Sequence, residues 1–342
     1  MGTIKVAIVG ASGYSGEELL RLLLVHPQVE ITCVTSRQYA GQPLGKVFPR
    51  FMEAPLSFSA PAADEIAKVA TVAFLALPHG VAAEYAVPLL EKGVRVIDIS
   101  ADFRLRDTAV YERYYGAPHP APALLREAVY GLPERYRERL RAARLIACPG
   151  CYPTSIILPT APVLAAGLGR STGIVAASLS GVSGAGRKVD LEYIFPECNE
   201  SVRPYKITGH RHLPEIEQEL AAAAGVKALA MNFLPHLVPV NRGIHSTILL
   251  DAAPGVTLEQ VEQALHGAYD AEPFVRVLPR GNLADTKHVT LTNMCEIGCA
   301  VDSRTGRILL SSAIDNLTKG ASGQAVQCLN LVCGLDETTG LR

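Results

Sequence analysis

Residues 147–155 read ACPGCYPTS, two cysteines three positions apart, each next to a proline and followed by an apolar run. A thiol in such a place is a metal ligand, half of a redox pair, a small buried hydrophobe or a nucleophile. A zinc clip needs a second ligand pair, and Cys33, Cys198, Cys295, Cys299, Cys328 and Cys333 do not repeat the C-x-x-C spacing. A thioredoxin-type pair sits near the start of a small domain, whereas this one follows a long stretch of chain. Cys148 ends an apolar strand-like run and reads as a core residue. Cys151 falls between that run and a helix, with Pro153 near the first helical position. There the helix dipole and free N–H groups lower a thiol's pKa and can hold an oxyanion. Cys151 is therefore the expected nucleophile, and no metal is expected.

Two other stretches carry chemistry. TGHRHLPE supplies His210 and His212 around Arg211, with Glu215 three residues after His212. Histidine is the usual general acid/base near neutrality. Glu215 either orients a histidine or sits in the first turn of a helix, PEIEQEL. GASGYSG places Gly10, Gly13 and Gly16 between an apolar run and a helical pattern, with Ser12, Tyr14 and Ser15 between them. A phosphate approaching a helix N-terminus needs a tight turn, bare N–H groups and no Cβ in its way. The spacing is G-x-x-G-x-x-G instead of the commoner G-x-G-x-x-G. An NAD binder usually has an acid about 20 residues beyond the turn. Here the second run ends in Ser36 and Arg37, which suits a 2′-phosphate, and NADP(H) is the expected cofactor.

The elements that must position these residues alternate between two periods. IKVAIVG (4–10), VEITCVTS (29–36), TVAFLAL (71–77), VRVIDIS (94–100) and RLIAC (144–148) read as strands. Helical spacing lies between several of them, in 16–26, 81–93 and 134–143. This predicts a Rossmann-type doubly wound parallel sheet. Residues 38–61 are expected to form a long surface loop. Beyond a helix at 151–167, the stretches 173–186, 226–240 and 244–252, then PFVRVLP, MCEIGCAVD and RILLSSAID, read as strands, with a helix at 257–270. That texture predicts an α+β catalytic domain on a mixed or antiparallel sheet. The expected division is 1–149 plus 318–342 for the nucleotide domain and 150–317 for the catalytic and oligomerisation domain. The closing 320–335 helix is expected to return to the first domain.

Composition bounds the rest. A chain of 342 residues is long enough for two domains, and a formal charge of −1 favours neither nucleic acid nor an anionic membrane. No run approaches the ~20 apolar residues of a membrane span. Eight cysteines without a secretory leader suggest reduced thiols in a cytoplasm.

The ordered set GASGYSGEELLRLL, LALPHGVAAEYA, VIDISADFRL, YGLPE, CPGCYPTS, SGVSGAGRK, TGHRHLPEIEQEL, VPVNRGI and AIDNLTKGASGQAVQ resembles the N-acetyl-γ-glutamyl-phosphate reductases over essentially the whole chain. That family is related in fold and mechanism to aspartate-semialdehyde dehydrogenase. The resemblance implies NADPH-dependent reduction of an acyl phosphate to N-acetylglutamate 5-semialdehyde and phosphate in arginine biosynthesis, through a cysteine thioester. It places the family's cysteine on Cys151 and its catalytic histidine on His210, leaving Arg211 and His212 to substrate or structure. It makes Arg104, at the end of the fourth strand, an anion binder, and sets Ser183 and Gly184 beside the nicotinamide and Asn316 on its amide. Pro78, His79 and Gly80 follow the third strand and are expected along the cofactor. Arg187, Lys188 and Arg242 are weaker anion candidates, and His236, His245 and His288 are alternative acid/bases. A homodimer or homotetramer is expected. Two rival readings are the aminoadipyl-phosphate reductase of lysine biosynthesis and a non-catalytic NADP-binding sensor. A single methylene separates the first pair of substrates, worth only ~1–3 kcal/mol in a pocket. A sensor needs neither Cys151 nor the GHRH segment.

Overall fold

The computed structural model describes residues 2–187 and 189–341, so Lys188 lies outside the described residues. The chain divides into two compact units, Met1–Glu112 with Gly116–Pro149 and Ala321–Arg342, and Arg113–Tyr115 with Gly150–Gly320.

In the first unit, β1 (Ile4–Val9), α1 (Tyr14–Leu23), β2 (Val29–Thr35), α2 (Leu44–Val47), β3 (Phe58–Ser59), α3 (Ala63–Val69), β4 (Val72–Leu75), α4 (Ala82–Glu91), β5 (Arg95–Asp98), α5 (Thr108–Tyr115), β6 (Val129–Tyr130), α6 (Pro133–Arg141) and β7 (Leu145–Ala147) follow in order. The sheet order is β3-β2-β1-β4-β5-β7-β6, and every pairing is parallel. Val6–Val9 and Val72–Leu75 are buried throughout, as strands covered on both faces must be. Strand order reverses at β1 and β4, the point where such sheets bind ligands at their carboxyl ends.

Residues 38–61 differ from the expected surface loop. They form α2, a 3-10 turn at Pro49–Phe51 and β3, which extends the sheet by pairing Phe58 with Val34. Leu44, Phe48, Phe51 and Phe58 are buried, and the Phe48 and Phe58 rings stand 6.0 Å apart. Leu44, Phe48 and Phe51 have helical spacing, but Pro43 and Pro49 limit each turn to a few residues and Phe58 stands apart, so no sustained period marks the segment.

The second unit holds α7 (Cys151–Ala165), β8 (Val175–Ser180), α8 (Phe195–Cys198), β9 (Arg203–Pro204), α9 (Leu213–Ala224), β10 (Asn232–Leu237), β11 (Ile244–Asp251), α10 (Leu258–Tyr269), β12 (Val275–Val277), α11 (Thr286–Val289), β13 (Cys295–Asp302) and β14 (Arg307–Ile314). Its sheet runs β12-β13-β14-β11-β8-β10-β9 with mixed pairing: β8 is parallel to β10 and antiparallel to β11. Burial alternates strictly along β8 and β11, so one face is the core face. The apolar α7 packs there against β11 and β14. The expected strands at 173–186 and 226–240 are shorter, because the first passes at Gly181 into a 3-10 turn and the second starts only at Asn232. The last helix, α12 (Gly323–Val332), belongs to the first unit and packs on α1 and α6, with Gln324 Nε2 donating to the Gly131 carbonyl at 3.0 Å.

Candidate active site

Cys151 opens α7, with Gly150 as the N-cap residue. The Gly150 carbonyl accepts from both the N–H and the hydroxyl of Thr154 at 3.0 Å, and its N–H donates to Glu215 Oε1 at 2.9 Å. A Cβ on Gly150 would lie 2.5 Å from His212 Nε2, and one on Gly320 would lie 2.7 Å from the Cys151 Cβ. The nucleophile candidate is thus boxed in by backbone that tolerates no side chain. It is half-buried, whereas Cys148 is fully buried in the first unit. All eight cysteines are free thiols, and among the described residues no cluster suits a metal ion.

Cys151 shares a cavity of about 270 Å³ with Tyr152, Tyr205, Lys206, His210, Arg211 and His212, all within the second unit. Burial, then the charges of Lys206 and Arg211, pushes His210 down to about 4. It is therefore a neutral imidazole near pH 7. Its Nδ1 lies 3.1 Å from the His212 N–H and accepts from it, so the neutral ring carries its proton on Nε2. The rings of His210 and His212 stand 5.4 and 5.9 Å from the Tyr152 ring. The Tyr152 and Tyr205 hydroxyls lie 2.9 Å apart. Burial raises both phenols and the neighbouring Cys151 raises them further, so both stay protonated. Three cations, Arg203, Lys206 and Arg211, line the same cavity with one acid, Glu192, 3.6 Å from Arg203, and the positive excess suits an anionic substrate.

Ser183, Gly184 and Asn316 also lie in this unit, and Gly184 lines the cavity. Asn316 accepts the Gly243 N–H at 2.7 Å and donates to Ser183 Oγ at 3.0 Å, so its amide clamps two loops together. Arg242 is held by Asp315 through two bonds of 2.8 and 2.9 Å, which neutralises it as an anion binder. Arg187 is exposed. His236 bonds Leu234 in β10, His245 lies in β11 and His288 pairs with Glu296; none of the three lines the cavity.

The remaining cofactor-binding candidates lie in the first unit. Gly10 has φ 88° and faces the Ala76 carbonyl, and a Cβ on Gly16 would stand 2.5 Å from Ala11 Cα. Both glycines are demanded by packing. Gly13 is different: it is the N-cap of α1, with no side-chain cap, and a Cβ there would come no nearer than 3.9 Å to anything. Internal packing does not explain it, and it leaves the first-turn N–H groups of α1 open to an anion. Ser36 is buried and donates to Ser12 Oγ at 3.0 Å, while Arg37 is exposed and lies 3.4 Å from Glu84. Tyr14 and Ser15 begin α1, and Pro78, His79 and Gly80 form an exposed loop after β4. That loop is pinned by buried Asp102, which accepts the Gly80 and Ala82 N–H groups at 2.6 and 3.0 Å. Arg104 points inward, not to solvent: it is buried, with Nε on the Cys148 carbonyl at 2.7 Å and Nη2 on the Ile99 carbonyl at 2.8 Å. In the first unit it ties two strand ends together.

Sequence reasoning missed Tyr152, Arg203, Tyr205 and Lys206 as site residues. Tyr152 carried a signal in its place after Cys151, but 199–209 has no periodicity that points to the other three.

Residues 5–143 match the family model described as "Semialdehyde dehydrogenase, NAD binding domain", and residues 151–316 match "Semialdehyde dehydrogenase, dimerisation domain". The chain is 57% identical to an N-acetyl-gamma-glutamyl-phosphate reductase of Akkermansia muciniphila, over 100% of this chain and 99% of that one. It is 50% identical to the protein of that name from Geobacter metallireducens, over 99% and 98%. Among solved structures, aspartate semialdehyde dehydrogenase II of Vibrio cholerae shares the fold at TM-score 0.74 and 18% identity, covering 98% and 99% of the two chains. The aspartate semialdehyde dehydrogenase of Candida albicans, solved with NADP, does so at TM-score 0.70 and 17% identity, over 97% and 99%. No helix among the described residues is long and apolar enough to cross a membrane. A nicotinamide-nucleotide sheet, a cysteine at the head of a helix beside a neutral histidine, and full-length relatives at this identity agree: the chain belongs to the N-acetyl-γ-glutamyl-phosphate reductase family of oxidoreductases.

Proposed function

We propose that this chain reduces N-acetyl-γ-glutamyl phosphate to N-acetylglutamate 5-semialdehyde in arginine biosynthesis, with NADPH as reductant and Cys151 as the acyl carrier. The observation that carries this reading is Cys151 as the first residue of a fifteen-residue helix, in one cavity with His210. The helix N-terminus favours the thiolate. The thiolate attacks the γ-carbonyl, the C–O bond to phosphate breaks, and a thioester and inorganic phosphate result. Lys206, Arg211 and Arg203 offset the charge of the anionic substrate in the cavity. A bound dihydronicotinamide supplies the hydride that reduces the thioester carbonyl. His210, neutral with its proton on Nε2, donates a hydrogen bond to the resulting oxygen, and that oxyanion collapses as the C–S bond breaks, releasing the aldehyde and the thiolate.

The first unit fits NADP. Gly13 leaves the helix N-terminus bare, Gly10, Ser12, Ser15 and Gly16 shape the turn around it, and Ser36 and Arg37 stand where an NAD binder keeps an acid. In the second unit, Ser183, Gly184 and Asn316 are assigned to the nicotinamide end; in the first, Pro78 is assigned to the cofactor. Arg104, expected as an anion binder, also steadies the end of β7 by gripping the Cys148 carbonyl. His212 and Arg211 serve substrate and loop positioning. A homodimer or homotetramer in a reducing cytoplasm suits the dimerisation-domain match and the eight free thiols. The relatives' names weigh against the aminoadipyl substrate, and Cys151 with His210 weighs against a sensor.

The test is phosphate-dependent reduction of NADP⁺ by N-acetylglutamate semialdehyde, with wild type beside Cys151→Ser and with NAD⁺ and the aminoadipate homologue as comparisons. Wild type should prefer NADP⁺ and the acetylglutamyl substrate, and Cys151→Ser should lose at least about a thousandfold in kcat. Full activity in the serine variant would end the thioester mechanism.

A further inference from the structure

Helix α7 begins without the means to cap itself. Gly150, its N-cap residue, has no side chain to offer the first-turn N–H groups. The position three residues on, which in a capping box holds a Glu or Gln reaching back to the N-cap N–H, is Pro153. Yet the Gly150 N–H is not left bare. It donates at 2.9 Å to Glu215, a carboxylate only 1% exposed, from the first turn of α9. One helical turn earlier in the same segment, the His212 ring lies against the Gly150 α-carbon, where a Cβ would come within 2.5 Å of Nε2. Two side chains three residues apart therefore hold both sides of the residue before the nucleophile.

The geometry points to Glu215 as a positioning residue that caps α7 from outside, fixing the Gly150 backbone and with it the direction of the Cys151 side chain. Glu215 does not line the cavity that Cys151 shares with His210, so it does not touch substrate. It acts through Gly150. What it contributes is a hydrogen-bond acceptor of the right length, and a neutral amide of the same shape supplies one too. The effect belongs on the chemical step, because binding of the anionic substrate falls to Lys206, Arg203 and Arg211. This inference rests on the thioester reading and deepens it.

The test compares Glu215→Ala, Glu215→Gln and wild type in acyl-phosphate reduction, together with hydrogen exchange at the Gly150, Cys151 and Tyr152 amides. Glu215→Ala should lose about a hundredfold in kcat with KM little changed, since a displacement near 1 Å at a reacting centre costs on that order. Its Gly150 amide should exchange faster. Glu215→Gln should stay within about tenfold of wild type in kcat and keep the Gly150 amide protected. Wild-type kcat in Glu215→Ala would overturn the assignment. So would a Gln variant as impaired as Ala, because charge and not the cap would then be at work. If Glu215→Ala is unfolded by circular dichroism, the Gln variant decides alone: wild-type-like kcat with a protected Gly150 amide supports the cap, and kcat lost while that amide stays protected, or kcat kept while protection is lost, rejects it. The exchange measurement needs no substrate, so a failed thioester mechanism shows as missing wild-type activity with the Gly150 amide still protected.

Discussion

A half-buried imidazole with two cations for neighbours stays neutral well below its usual range, and His210, pushed down to about 4, is such a group. Above the unfolded value of 6.5 it is neutral in either state and opposes nothing. As pH falls from 6.5 toward 4, the unfolded chain takes up a proton that the folded one refuses, and stability is lost in that window. The same property sets the kinetics. The acid limb of kcat/KM in wild type should lie well below pH 6.5, and a limb centred near 6.5 would mean that His210 is not the group seen. His210→Asn should lower kcat by about 10²–10⁴-fold without unfolding the protein. At the other end of the chemistry, Arg37→Ala should raise KM for NADP⁺ by about 10–100-fold, the worth of one or two charge-assisted bonds, and leave NAD⁺ unaffected. Equal losses with both dinucleotides would place Arg37 away from the 2′-phosphate. The positions of Cys151 at the head of α7, Arg37 just past β2 and His210 just before α9 were legible from the sequence, because periodicity makes those element ends visible. The bonds of Arg104 to the carbonyls of Ile99 and Cys148 were not, because a place after a strand says nothing of which backbone groups a guanidinium meets.

Three glycines in one turn answer to different demands. Gly10→Ala and Gly16→Ala should destabilise the fold, because a Cβ at the first meets the Ala76 carbonyl and at the second meets Ala11. Gly13→Ala has room in the protein and an ordinary φ of −78°. It should melt close to wild type yet bind NADPH about tenfold or more weakly, about 1.4 kcal/mol, read by calorimetry. Wild-type affinity in Gly13→Ala would move the pyrophosphate elsewhere. The end of β5 carries a second device. Asp98 is raised to about 7 by burial and by neighbouring Asp102, against the opposing pull of Ser100 and Arg104. A raised carboxyl means that the folded state holds the proton more tightly. Its stability contribution is complete at acid pH below the unfolded value and is lost as pH rises through about 7. Asp98→Asn should remove that dependence, so the melting-temperature gap between variant and wild type should widen from pH 5 to pH 8. At this scale the five longer parallel strands, β1, β2, β4, β5 and β7, were plain in the sequence as apolar runs, three of them ending in Gly or Ser. The short β3 and its phenylalanine cluster were not, because burial there follows tertiary contact and not a repeat.

The two sheets differ as their sequences do: unbroken apolar strands give an all-parallel order, alternating ones give a mixed order with a half-exposed face. Fold class could therefore be read before any coordinates. The crowd around Cys151 could not, since Tyr205, His210, Glu215 and Gly320 reach it from segments more than fifty residues away, joined by packing that no local pattern encodes. What unites the molecule is a single chemical claim, that an acyl group is carried on Cys151. Intact-protein mass spectrometry tests it: enzyme free of nicotinamide is mixed with N-acetyl-γ-glutamyl phosphate, quenched in acid and mapped by peptide. One N-acetylglutamyl group should appear on Cys151, with phosphate released and nothing added to Cys151→Ser. An unmodified wild-type chain that still turns over the acyl phosphate when NADPH is supplied would contradict the claim.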